Sequence, residues 1–146
     1  MIEPLLISSS LLIGKEVMTQ TITNSTKNIY SGIEKIMTNE NMEFNQVLDN
    51  LDINTKLDII NSFIKEMESS NKLLSETTRK SLKYIENILK IIEVEISNIN
   101  IEIEEHKKKW FNRIRTSNCR TMINNLVNHV KILDNRFELL IKFINI

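Results

Sequence analysis

The chain has 146 residues, and its 19 basic and 19 acidic side chains give a formal net charge of zero. Isoleucine (25), asparagine (19) and leucine (15) dominate, with 2 glycines, 1 proline and no alanine. So few chain-breaking residues exclude a turn-rich sandwich or barrel and a collagen-like repeat. The balanced charge disfavours a protein that coats nucleic acid non-specifically. The length suits a single domain, residues 1–146, with a substantial core.

The excess of isoleucine, asparagine and lysine is typical of AT-rich genomes, such as those of large DNA viruses, parasites and intracellular bacteria. The single cysteine has no partner for an internal disulfide, which favours a reducing compartment. Residues 4–13 resemble the apolar part of a signal peptide, but the preceding residues lack a basic cluster, and ten residues do not cross a bilayer. We therefore expect a soluble intracellular protein without a signal peptide, cytoplasmic or within a viral or parasite-derived assembly.

The first predicted helix runs from about Pro4 to Met37, because proline suits a first helical turn. Apolar residues mark its two ends, and the polar stretch between them contains only Ile22. We therefore predict a kink or a short loop near residues 20–26.

Polar residues at 38–43 and 69–71 interrupt the apolar pattern, and we predict hinges at both places. A short helical stretch follows the first interruption, with a second helix start at Asp52 or Asn54. From there, apolar residues recur at steps of 4, 3, 4 and 3, which is typical of a helix that packs along a seam: Ile53, Leu57, Ile60, Ile64 and Met67.

From Lys72 the same spacing resumes, and a helix unbroken to Arg115 would be roughly 65 Å long. Residues 99–103 alternate as a strand does, but no partner strand is evident, so we predict a helix here as well. The predicted seam positions of this long helix are Leu82, Ile85, Leu89, Ile92, Ile96, Ile99, Ile103 and Trp110.

The last predicted helix follows the potential N-cap residues Thr116, Ser117 and Asn118. Its predicted seam positions are Leu126, Val130, Leu133, Phe137, Leu140 and Ile144, with Met122, Ile123 and Ile141 as further core positions. A short connection makes the last two helices antiparallel. The predicted fold is an all-α, elongated antiparallel bundle whose long third helix and C-terminal helix form a coiled-coil-like hairpin. The predicted long helix is longer than the C-terminal helix, so part of it lacks that partner. We expect the N-terminal half of the chain, or a second copy, to cover this part.

The most distinct charged feature is a basic cluster after an acidic stretch at 93–105. With Trp110 and Phe111 among them, its residues could contact phosphate groups or an acidic partner: Lys107, Lys108, Lys109, Arg113, Arg115 and Arg120. A solvated basic face at a helix C-terminus explains the same residues more simply, because cations are favoured there by the helix dipole.

No catalytic, cofactor-binding or metal site is predicted. A ferritin-like site needs Glu-x-x-His pairs, and neither His106 nor His129 has a glutamate three residues before it. A helical salt bridge explains Glu102 and His106, His129 suits the rim of a core, and Cys119 lies on an apolar face as a buried thiol. With 2 glycines, phosphate-binding glycine loops are excluded.

These observations predict a non-enzymatic interaction or structural protein that acts through helix–helix association. Its expected partner is a helical protein, either a second copy or a subunit of a larger assembly, and no small-molecule substrate is inferred. One alternative is a small nucleic-acid-associated protein that uses the basic cluster at 107–120. A weaker alternative is peripheral membrane association through residues 2–13, since an interfacial helix needs an apolar face.

Overall fold

The computed structural model describes the backbone of residues 3–38, 42–70, 73–107 and 116–144, and the side chains within 15–38, 44–70, 73–105 and 119–144. Every regular element in these ranges is a helix, as the apolar spacing predicts. The five helices are α1 (Glu3–Met37), α2 (Met42–Leu51), α3 (Ile53–Ser69), α4 (Glu76–Lys107) and α5 (Thr116–Ile144).

Helices α4 and α5 form the predicted antiparallel hairpin. Arg136 of α5 lies beside Tyr84 of α4, while His129, one heptad earlier on α5, lies beside Glu95, further along α4. The two helices have 32 and 29 residues, so they cover each other over most of their length.

Helix α1 covers a second flank of α4 and runs parallel to it. The side chain of Asn28 donates a hydrogen bond to Glu93 Oε1 (2.7 Å), and Asn100 Nδ2 donates to the carbonyl of Gly32 (3.0 Å). Helix α3 packs antiparallel on α1 and also contacts α5. The N-terminal half of the chain therefore supplies a cover for α4, which was one of the two covers considered from the sequence.

The core between these helices is aliphatic and mostly isoleucine, as the composition suggests. It contains residues from all five helices, including Ile22, Ile29, Ile36, Phe44, Leu48, Ile60, Ile64, Leu82, Ile85, Leu89, Ile92, Leu126 and Leu140. Because burial of each large aliphatic side chain is worth about 1.5–3 kcal/mol, this continuous cluster is the main stabilising element of the bundle.

Of the kink or short loop predicted near residues 20–26, the loop is wrong, because α1 is one helix from residue 3 to residue 37, and the kink stays a prediction. Its threonine hydroxyls donate to main-chain carbonyls three or four residues earlier, for example Thr21 to Val17 (2.8 Å) and Thr23 to Thr19 (2.9 Å). These hydroxyls are thereby satisfied without leaving the helix. Ile22 is completely buried, so tertiary packing outweighs the modest helix propensity of the stretch.

The start of α3 was predicted within two residues. Asp52, which separates α2 from α3, adopts a left-handed conformation (φ 51°, ψ 40°) that aspartate tolerates better than most residues. The hydroxyl of Thr55 donates to the Asp52 carboxylate (2.7 Å), which holds this junction in place.

The ends of the last two helices differ from the prediction. Helix α4 begins at Glu76 rather than Lys72, because Ser75 caps it by accepting a hydrogen bond from the main-chain nitrogen of Thr78 (3.1 Å). Its predicted continuation over residues 108–115 lies outside the described residues. Helix α5 begins at Thr116, so residues 116–118 form its first turn instead of preceding it.

Polar contacts join the helices around the core. Lys56 of α3 forms an ion pair with Asp134 of α5 (2.8 Å), and Thr26 of α1 donates to Asn61 of α3 (2.7 Å). The buried Lys15 reaches the main-chain carbonyl of residue 70 (2.7 Å) beyond the end of α3. These contacts are specific to one arrangement of the helices, and they fix how α1, α3 and α5 are placed relative to each other.

Gly32 marks the closest approach of α1 to α4. A methyl group built on its α-carbon would overlap with Ile96 Cγ2, a side chain whose β-branch is stiff within a helix. The absence of a side chain at this position also leaves the Gly32 carbonyl open to Asn100. The glycine therefore has a packing role that outweighs its cost to helix propensity.

Candidate interaction surface

Helix α4 has two apolar faces, and we call the one that packs against α1 and α5 the inner face. It is formed by predicted seam residues, all of them buried: Leu82, Ile85, Leu89, Ile92, Ile96 and Ile99. Ile103 is partly buried against the same core, and Trp110 lies outside the described residues.

On α5, Leu126, Val130, Leu133 and Leu140 are buried, and Phe137 is half-buried with its ring edge-on to Phe63 (centroids 5.7 Å apart). The further core positions also contact the cluster, with Ile123 buried, Met122 partly buried and Ile141 half-buried.

Ile144 is a correction to the predicted seam, because 41% of it is exposed. Arg136 lies beside Tyr84, so eight further residues of the antiparallel α5 bring Ile144 level with Glu76, where α4 begins. Little of α4 remains there to cover an apolar side chain.

The second apolar face of α4 points away from the core. Its residues recur at alternating steps of 4 and 3 and are all exposed: Lys80, Tyr84, Asn87, Ile91, Val94, Asn98, Ile101 and Glu105. We call this set the outer stripe. At about 100° per residue these positions lie opposite the inner face, and their spacing is that of the a and d positions of a coiled coil. In this set, Ile91 is 44% exposed and Val94 is 58% exposed.

One flank of α5 lies next to the outer stripe and holds it in place. His129 Nδ1 lies 2.6 Å from Glu95 Oε1, and Arg136 donates to the main-chain carbonyl of Tyr84 (2.7 Å). The Arg136 guanidinium also lies over the Tyr84 ring, 5.7 Å from its centroid, in a cation–π arrangement. His129 is thus part of a contact between helices at the rim of the core.

The same flank of α5 adds apolar area beside the stripe. Ile132, Leu139 and Phe143 are exposed, and they alternate with His129 and Arg136 at steps of 3 and 4 residues. Exposed apolar residues that recur at helical spacing on two neighbouring helices suit a protein-binding site better than scattered ones do.

The outer stripe is not evident from the apolar pattern of the sequence alone. Ile91, Val94 and Ile101 were visible as apolar residues, but the inner-face pattern at 82, 85, 89 and 92 explained the helix without them. The signal that could have found the stripe is a second 3–4 repeat, displaced by two residues from the first.

The basic cluster falls almost entirely outside the described side chains. Lys107 is the last residue of α4, residues 108–115 are not described, and Arg120 is exposed near the start of α5. Phosphate contact at this cluster stays a prediction. The side chains of residues 2–13 are likewise outside the described set, so the membrane alternative also stays a prediction. None of the described helices has an apolar stretch long enough to cross a membrane.

Cys119 is buried at the start of α5, as expected for a thiol on an apolar face. Burial raises the pKa of this thiol, and the negative charge of Glu102 raises it further. The protonated, unreactive form is therefore favoured at neutral pH. Among the described residues, no three or more His, Cys, Asp and Glu side chains come together in a way that could hold a metal ion.

The chain is 26% identical over 169 aligned positions to an uncharacterised protein of Acanthamoeba polyphaga mimivirus, and the alignment covers 92% of this chain and 82% of the viral protein. No protein-family model matches the chain, and no solved structure matches it.

Proposed function

We propose that this protein is a non-enzymatic helical interaction protein that acts through helix–helix association and assembles with itself. The observation that carries the proposal is the outer stripe of α4. It presents four large side chains at coiled-coil spacing, each of them at least 44% exposed: Tyr84, Ile91, Val94 and Ile101.

Two features of the surrounding structure support this role. The inner face of α4 contributes an aliphatic cluster with α1 and α5, and the outer stripe takes no part in that cluster. Contacts from Arg136 and Glu95 fix α5 beside the stripe, so the surface is preorganised. A rigid apolar surface loses little conformational freedom on association, which favours binding.

The test is light scattering of the purified protein across a dilution series. We expect a mass above 17.1 kDa at high concentration that falls towards the monomer on dilution. Ile91→Glu and Val94→Glu should each shift the protein to the monomer, because a charge at an apolar interface loses its hydration.

Ile59→Glu is the matched control. Ile59 is 53% exposed on α3, but the positions at heptad spacing around it are polar: Thr55, Ser62 and Glu66. This variant should self-associate as the wild type does. A wild-type mass of 17.1 kDa at every concentration would contradict the proposed function, as would equal dissociation of the Ile59 and Ile91 variants.

A further inference from the structure

We infer that the outer stripe pairs with the outer stripe of a second copy of this chain, in an antiparallel register centred between Ile91 and Val94. This inference rests on the proposed function and specifies the partner, the surface and the direction of the pairing.

The register follows from the order of residues along the stripe. In an antiparallel coiled coil, an a position of one helix meets a d position of the other. Centring the pair between Ile91 and Val94 brings each residue opposite one of matching chemistry: Ile91 meets Val94, Asn87 meets Asn98, Tyr84 meets Ile101, and Lys80 meets Glu105. Each pair occurs twice, because the arrangement is two-fold symmetric.

Charge complementarity distinguishes this direction from the parallel one. The first half of α4 carries exposed lysines at 80, 83 and 90 together with Glu76 and Glu86, whereas residues 93–105 contain five glutamates and no base. Antiparallel pairing places the basic half of each helix against the acidic half of the other. A parallel pair would place Lys80 opposite Lys80 and Glu105 opposite Glu105 at the two ends of the stripe, which is unfavourable.

The two asparagines also favour a single register. Polar residues at a or d positions lower the stability of a coiled coil but specify its alignment, because a register shifted by one heptad leaves one of the two amides against an apolar side chain. Here Asn87 and Asn98 are equidistant from the centre of the stripe, so one antiparallel alignment satisfies both. The stripe from Lys80 to Glu105 is about 38 Å long, which is enough for more than three heptads.

Disulfide trapping tests the register directly. In a Cys119→Ala background, Asn87→Cys and Asn98→Cys are made as separate proteins, then oxidised alone and as an equimolar mixture. The mixture should give a cross-linked heterodimer. Each variant alone should remain uncrosslinked, because the two copies of residue 87 would lie about 16 Å apart along the helix axis, beyond the Cα separation of about 7 Å that a disulfide spans.

A control pair tests whether cross-linking is specific, and a charge exchange tests the register independently. Asn87→Cys mixed with Ser62→Cys, an exposed position on α3, should not cross-link beyond random collision. Separately, with Cys119 retained, Lys80→Glu and Glu105→Lys should each weaken the dimer several-fold, and the double variant should restore the wild-type dissociation constant.

The outcomes separate this inference from the proposed function. A wild-type protein that self-associates while Asn87→Cys cross-links to itself would overturn the antiparallel register and favour a parallel pair. Self-association without any cross-link, either within one variant or between positions 87 and 98 in the mixture, would overturn the stripe as the interface. A protein that is monomeric at all concentrations would overturn the proposed function, and the inference with it.

Discussion

The inner and outer faces of α4 share the same 3–4 spacing but differ in what occupies it. The inner face is aliphatic at every position from Leu82 to Ile99 and is buried by α1 and α5. The outer stripe has asparagines at 87 and 98 and oppositely charged residues at its two ends. An uninterrupted apolar face is buried in the core of the fold. An apolar face interrupted by polar residues can stay exposed to water, and it suits a reversible contact in one register.

The largest expected difference is in stability, between one acidic substitution on the inner face and one on the outer stripe. Leu89→Asp places a carboxylate in the core, where Leu89 is completely buried, at a cost of several kcal/mol. We expect loss of the cooperative melting transition. At low protein concentration, the free energy of unfolding of Val94→Asp should lie within ~0.5 kcal/mol of the wild-type value, because residue 94 is exposed. Circular dichroism melting of both variants measures the difference, and a well-folded Leu89→Asp would show that the inner face is wrongly assigned.

A smaller effect is expected where α1 meets the inner face. Gly32→Ala gains about 1 kcal/mol in helix propensity, but overpacking against Ile96 costs typically 1–3 kcal/mol, so we expect a lower melting temperature. Ser31→Ala is the control, since residue 31 is exposed and gains propensity without a clash. A Gly32→Ala protein more stable than Ser31→Ala would show that α1 and α4 are not in close contact.

The smallest expected effect is on the dissociation constant, and it tests whether Asn87 of the outer stripe lies in the interface. Asn87→Leu replaces a polar layer of the antiparallel pair by an apolar one, so we expect association to tighten about tenfold, or about 1.4 kcal/mol, with less definite register. Asn24→Leu on the exposed side of α1 is the matched control and should leave the dissociation constant unchanged. Sedimentation equilibrium measures both, and an unchanged constant for Asn87→Leu would place residue 87 outside the interface.

The sequence was sufficient to predict the all-α fold, the helical hairpin and the inner face of α4, because each depends on local periodicity. It did not predict the continuity of α1 near Ile22, where burial and threonine hydroxyl contacts outweigh weak propensity. The outer stripe was missed for a different reason. Positions 82 and 84, or 89 and 91, both fit a 3–4 pattern, and only the placement of α1 and α5 decides which set is covered.

The most direct test of the account is a comparison of amide chemical shifts at high and low protein concentration. We expect dilution to change the shifts of outer-stripe residues such as Ile91, Val94 and Ile101, and those of the adjacent flank of α5 around Ile132. Inner-face residues such as Leu89 should change little. Shifts that do not depend on concentration, or changes confined to α3, would contradict the assignment of the outer stripe as the surface through which this protein associates.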